Sequence, residues 1–216
     1  MIILGFDTCL DKMYVVLAKN DGILCSKIIE TTKEHYHSAF LISTIKELLK
    51  DNDLTPQDVD IIATNIGPGS FTGIRACTTV ARVFAHASGA KVVGVSSLEI
   101  LSRLNDSQNK TVVALDARKE MAYVAVYENK NEVLTPQTML IEDLKELIAQ
   151  GRQFVVRDDK LAPILDGTSY QQSDRDLGKF LAEIAYEKLQ AGCETDWRKL
   201  HPLYIQPPPI TVKKQQ

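Results

Sequence analysis

The apolar positions change period along the chain, and each change marks an element. An apolar run over 2–6 ends at Asp7-Thr8 and reads as a buried strand. Two further strands, 13–19 and 23–29, flank Asn20-Asp21-Gly22, whose residue types favour a tight hairpin turn. Over 38–50 the period lengthens. Leu41, Ile45, Leu48 and Leu49 fall on one side and Phe40, Thr44 and Glu47 on the adjoining face, which predicts an amphipathic helix. A second apolar run, 59–66, is stopped by Gly67, Pro68 and Gly69. Ser70 then stands at a helix N-cap, and the pattern stays helical to Ser88, with Gly89 as its stop. A strand at 91–95 and a helix from Ser96-Ser97 complete the order β-β-β-α-β-α-β-α.

The order then begins again. Residues 111–116 repeat the apolar strand with an aspartate at its end, and 121–127 echo the second strand. A turn at 128–131 leads into a shorter third strand that begins at 132–134. Helices at 141–150 and 174–190 flank a strand at 154–156. A pattern that repeats at half the chain length predicts a duplicated architecture, with lobes at 1–106 and 107–216.

The strand, glycine turn and helix start around 65–76 can present free N–H groups to an anion. No Gly-Lys-Ser/Thr follows, and a dinucleotide fingerprint would place its last glycine at Thr72. Two readings therefore stand, an anion loop or a tight turn that allows close helix packing. On the helix that follows, steps of 100° bring Arg75, Thr79, Arg82 and His86 into one stripe. Almost every other position is apolar or small, so the helix reads as covered by its sheet on one side and by a partner on the other. A central helix buried within its own domain is the alternative.

Composition narrows the class. The 216 residues are 44% hydrophobic and 25% charged, ordinary for a globular protein, and the net charge of −3 opposes a large nucleic-acid surface. Cys9, Cys25, Cys77 and Cys193 show no Cys-x-x-Cys spacing and read as reduced thiols. No leader segment and no apolar run near the ~20 residues of a membrane helix is present, so a cytoplasmic protein is expected. His35 and His37, two apart, share no helical face and are not read as metal ligands. No nucleophile stands beside a base at a known hydrolase spacing.

The run Gly67-Pro68-Gly69-Ser70-Phe71-Thr72-Gly73-Ile74-Arg75 resembles the signature of the bacterial TsaB family, also called YeaZ. Phe6-Asp7-Thr8, Glu34-His35, Val95-Ser96-Ser97-Leu98-Glu99 and Leu115-Asp116-Ala117-Arg118 extend the likeness, which covers residues 1–130 well and the rest loosely. The resemblance implies a two-lobed α/β chain of the actin-like ATPase (ASKHA) fold, built from duplicated β-β-β-α-β-α lobes. In that superfamily each lobe's first hairpin holds phosphate through a glycine. Here those turns read Asp7-Thr8-Cys9 and Asp116-Ala117-Arg118, so the fold is expected to be catalytically degenerate.

By the same resemblance the chain is a scaffold that activates TsaD, the catalytic subunit, by heterodimerising with it. TsaD makes N6-threonylcarbamoyladenosine at position 37 of tRNAs reading codons that begin with A. The small ATPase TsaE completes the assembly, tRNA is contacted only indirectly, and a homodimer is expected in isolation. The partner surface is placed on His37, Leu41, Thr44, Ile45, Arg75, Ala76, Thr79, Arg82, Val83 and His86. Asp7, Thr8, Gly67, Gly69, Ser70 and Arg118 are placed at a nucleotide-facing cleft, with no resident metal or cofactor and any ATP or ADP at the partner interface. Asp7 is either a magnesium-directing carboxylate or a cap of its own turn, and Arg118 either an anion fork or a surface arginine paired with Glu120. An active small-molecule kinase or ATPase of the superfamily, and a self-associating homodimeric module, are the alternative functions.

Overall fold

The computed structural model describes residues 1–30, 37–105, 109–151, 153–170 and 175–206, with the side chains of His37 and Ser38 excepted. The Glu34-His35 match and the chain from Pro207 lie outside the described residues. The strands are β1 (Ile2–Asp7), β2 (Lys12–Lys19), β3 (Gly22–Glu30), β4 (Ile61–Asn65), β5 (Lys91–Val95), β6 (Thr111–Arg118), β7 (Met121–Glu128), β8 (Asn131–Leu140), β9 (Phe154–Arg157) and β10 (Thr168–Ser169). The helices are α1 (Leu41–Asp51), α2 (Phe71–Ser88), α3 (Ser97–Ser102), α4 (Ile141–Ala149) and α5 (Leu177–Gln190).

One sheet runs β3-β2-β1-β4-β5 and the other β8-β7-β6-β9-β10. The first three strands of each are antiparallel and the next joins in parallel, so both halves share one topology. This is the duplicated α/β architecture that the sequence pattern predicts. The copies differ after β9, where a short 3-10 turn, Asp159–Leu161, stands in the place that α2 takes in the first half.

The molecule is layered. Helices α1 and α2 cover one face of the first sheet, burying Leu41, Ile45, Leu48, Ile74, Cys77 and Ala81 against Leu4, Phe6 and Ile62. Helix α4 covers the outer face of the second sheet. Between the sheets lie α3 and α5, each exchanged to the other half: α3 packs on β6 and β7, α5 on the five strands of the first sheet. Arg103, 9% exposed at the end of α3, sends both terminal nitrogens to Glu187 of α5 at 2.7 and 3.2 Å. Leu181, Ile184 and Leu98 on these helices are fully buried. The apolar area they remove from water, at about 25 cal/mol per Å², makes the exchanged pair the seam of the two halves.

Three boundaries depart from the sequence pattern. Strand β8 has ten residues and is not the shorter third strand expected to begin at 132–134, because Pro136 sits on an edge strand where one N–H is not needed. A 3-10 turn, His37–Phe40, precedes α1, so the α-helix starts at Leu41. Helix α5 starts at Leu177, after Asp176 accepts the Gly178 N–H at 2.9 Å. Past α5 the chain returns to the first lobe. Thr195 O accepts the Val92 N–H, Leu200 is buried, and the Leu203 N–H reaches Ile66 O at 2.8 Å.

Candidate functional site

The glycine turn after β4 is tied down from both sides. Asn65, fully buried, accepts the Gly67 N–H at 2.8 Å and the Ser97 hydroxyl at 2.9 Å. Ser70 caps α2 by accepting the Gly73 N–H, and its own N–H goes to Cys9 O at 2.8 Å. The Thr8 hydroxyl donates to Gly73 O at 2.9 Å. A Cβ on Gly69 would stand 2.4 Å from Cys9 O, so backbone packs on backbone there. The helix start that could have bound an anion thus meets the β1–β2 turn of its own chain.

Asp7, Thr8, Gly67, Gly69 and Ser70 are brought together at this junction. Asp7, Thr8 and Gly67 are buried, while Gly69 and Ser70 are exposed. Asp7 Oδ1 accepts the Cys9 N–H at 2.6 Å, so it caps its own turn. Arg118 lies on the other hairpin, exposed, and makes no hydrogen bond or ion pair with that group or with Glu120 among the described residues. Arg118, Lys119 and Glu120 all have positive φ (65°, 52° and 59°), a strained run for residues with side chains.

Between the hairpins the charge is mainly negative. Burial pushes the Tyr170 hydroxyl up, and Asp11, by charge and by hydrogen bond, then Asp158 and Asp7 add to it. Burial also raises the Asp158 carboxyl, against the N–H bonds it accepts from Asp116 and Leu161. Lys160 stands 3.8 Å from Asp116. Buried carboxylates that crowd a neutral phenol disfavour an unaccompanied phosphate.

The outward face of α2 has the opposite character. Arg75, Thr79, Val83 and His86 are exposed, and Ala76 and Arg82 are half-buried. The helix carries no Asp or Glu in 18 residues. The Arg75 guanidinium lies 4.8 Å from the Phe71 ring centre, and that of Arg82 lies 5.9 Å from the Trp197 ring. His86 stacks at 4.9 Å on Trp197 and Phe71 at 5.8 Å on Tyr204, both from the returning C-terminal strap. Thr78, Thr79, Arg82, Val83, His86 and Trp197 line a hollow of about 290 Å³.

On α1 the expectation needs correction. Leu41, Thr44 and Ile45 are buried against the chain's own first sheet, because the apolar stripe of an amphipathic helix faces the nearest core. Ile42, 68% exposed, is the apolar residue that α1 turns outward. The side chain of His37 lies outside the described ones. Trp197, Tyr204 and Phe71 frame the α2 face, and no period along the sequence assigns them to it. The available signal was that the chain's one tryptophan follows the last helix.

Comparisons with known proteins bear on the family and the fold. Residues 24–151 match the family model described as TsaD: tRNA N6-adenosine threonylcarbamoyltransferase. A Bacillus subtilis protein named tRNA threonylcarbamoyladenosine biosynthesis protein TsaB is 30% identical over 155 residues, covering 69% of this chain and 67% of its own. Two solved structures from Pseudomonas aeruginosa share the fold. One, described as an uncharacterised protein with similarity to peptidase YEAZ, has a TM-score of 0.79 at 21% identity, over 95% of this chain and 99% of that one. The other, YeaZ, has a TM-score of 0.76 at 20% identity, over 94% and 99%.

Proposed function

Because the chain belongs to the TsaB (YeaZ) family, we propose that it is the non-catalytic subunit that docks on TsaD in tRNA threonylcarbamoyladenosine biosynthesis. Both the TsaB-named relative and the matching TsaD family model support a place in that modification pathway. The finer role rests on one observation, the outward face of α2. It is apolar and cationic, free of acidic residues, and its arginines are already stacked on aromatic rings. A partner helix with an apolar ridge and acidic flanks fits it by charge and by shape.

A second copy of this chain is the competing occupant. A two-fold contact through α2 would set Arg75, Arg82 and His86 of one copy against the same residues of the other. Such a homodimer in isolation is weakened at low ionic strength and gives way to an acidic TsaD face. The crowded carboxylates between the hairpins, and turns that lack a phosphate glycine, support the non-catalytic part of the reading. ATP or ADP in the assembly would then sit between subunits. TsaE would join through the TsaD-bound assembly, and tRNA would be met chiefly by the partners, since this chain carries a net charge of −3.

The test is co-expression with the TsaD homologue of the same source, followed by mass measurement of the purified species. A one-to-one complex is expected. ATP turnover that tracks the isolated chain and vanishes in Asp7→Ala would overturn the non-catalytic role in favour of the kinase or ATPase alternative.

A further inference from the structure

The junction of the β1–β2 turn with α2 holds a set of groups with no part in the docking face. Asp7, Cys9 and Cys77 are buried there, and their ligand atoms all lie within 4.8 Å of one another. Asp7 and Cys9 share the β1–β2 turn while Cys77 comes from α2, so no sequence spacing reveals the set. We infer that Asp7, Cys9 and Cys77 form a structural site for a soft divalent cation of the Zn2+ class.

The donor set suits that ion: two sulfurs and one carboxylate, on two elements that need joining, supply three of the four ligands of a tetrahedral site. Tetrahedral zinc bonds sulfur at about 2.3 Å and carboxylate oxygen at about 2.0–2.2 Å, which places ligand atoms roughly 3.5 Å from one another. A cluster of the observed span closes on the ion by small side-chain movements. Close packing holds the backbone around it in place. Gly69 and Gly73 sit against the Cys9 and Thr8 carbonyls, and Ser70 N–H holds Cys9 O at 2.8 Å.

Polar neighbours hold the Cys77 sulfur and the Asp7 carboxylate in place. Cys77 Sγ accepts the Thr8 N–H at 3.2 Å and lies 3.2 Å from the Thr8 hydroxyl. Asp7 Oδ1 accepts the Cys9 N–H at 2.6 Å. Bonds of this kind orient ligands and offset negative charge around a bound metal. Binding sends one proton from each thiol to solvent, and the two thiolates and the carboxylate take the cation. Uptake therefore strengthens as pH rises.

Co2+ titrated into the intact, fully reduced chain is the direct probe. The expected result is near-ultraviolet thiolate-to-cobalt absorbance with the intense visible bands of tetrahedral cobalt, both bleached by Zn2+. Saturating Zn2+ should also raise the melting temperature and shield Cys9 and Cys77 from a thiol reagent in the wild-type chain, a readout that needs no variant. Cys9→Ser and Cys77→Ser should each lose the bands, whereas Cys193→Ser should keep them. Absence of the bands in the reduced wild type would overturn the site, as would bands that survive both serine variants. A mass two hydrogens lighter, with a peptide map joining Cys9 to Cys77 and no Zn2+ uptake, would instead identify a disulfide there and overturn it too.

Discussion

A Cβ built on Gly73 would stand 1.8 Å from the carbonyl oxygen of Thr8, so the first turn of α2 and the β1–β2 turn touch backbone to backbone. The contact joins the last turn of one strand to the start of a helix 65 residues later. Gly73→Val should force the two apart and destabilise the chain by about 3 kcal/mol, the upper end for overpacking. The gain in helix propensity over glycine, at most about 1 kcal/mol, opposes this and loses. Denaturant midpoints of the two proteins decide it, and an unchanged midpoint would refute the close contact.

Adjacent residues on α1 should behave in opposite ways. Leu41 is buried under the first sheet, so Leu41→Ala should cost about 2–5 kcal/mol of stability. Ile42 points outward, so Ile42→Glu should leave stability within about 0.5 kcal/mol. If α1 shares the docking face with α2, Ile42→Glu weakens TsaD binding while Leu41→Ala acts only through the fold. Melting curves and a binding isotherm for each variant separate these outcomes.

On α2 the charge itself is testable. Arg82→Glu should slow association with an acidic partner at low salt and lose most of that effect at high salt, since the Debye length falls to about 3 Å at 1 M. The same substitution reverses charge across any two-fold self-contact. Stopped-flow association rates at two ionic strengths check it. Equal slowing at both would show that the cationic face does no steering.

The C-terminal strap carries a pH response. Asp196 accepts the Arg198 N–H and pairs with its guanidinium at 2.7 Å, which holds its carboxyl down at about 2. A depressed carboxyl stabilises the folded form above its ordinary value of 3.8, and the contribution is lost as pH falls from there through about 2. The group is half-buried at the surface and its partner Arg198 is exposed, so salt should weaken the effect. Trp197 is the one tryptophan and lies next in the chain, so its fluorescence reports the strap directly. A red shift over that pH window, reduced in Asp196→Asn, is expected. Identical profiles for both proteins would contradict it.

Much of the fold is legible in local pattern. Asn20-Asp21-Gly22 marks the hairpin, Ser70 and Gly89 bound α2, and the strand-plus-aspartate motif repeats at Asp7 and Asp116. The exchange of α3 and α5 is not legible, because it depends on contacts between Leu98 or Leu181 and strands of the opposite half. The stripe Arg75, Thr79, Arg82 and His86 could be read because a polar line on an apolar helix has one obvious orientation. Leu41 and Ile45 misled because an apolar stripe looks the same whether it faces a sheet or a partner. Trp197 and Tyr204 reach α2 only through the returning strap, which no local period encodes. The metal-ligand group around Cys77 is likewise a product of tertiary packing.

The central claim, that the outward face of α2 docks on TsaD, is tested most directly by sedimentation velocity on the chain mixed with its TsaD homologue. Wild type and Val83→Glu should be compared, because Val83 is 63% exposed and its substitution leaves the core untouched. The account predicts a heterodimer for wild type and separate species for Val83→Glu, with both chains melting at the same temperature. A heterodimer that forms equally well with folded Val83→Glu, or no heterodimer with wild type, would contradict it.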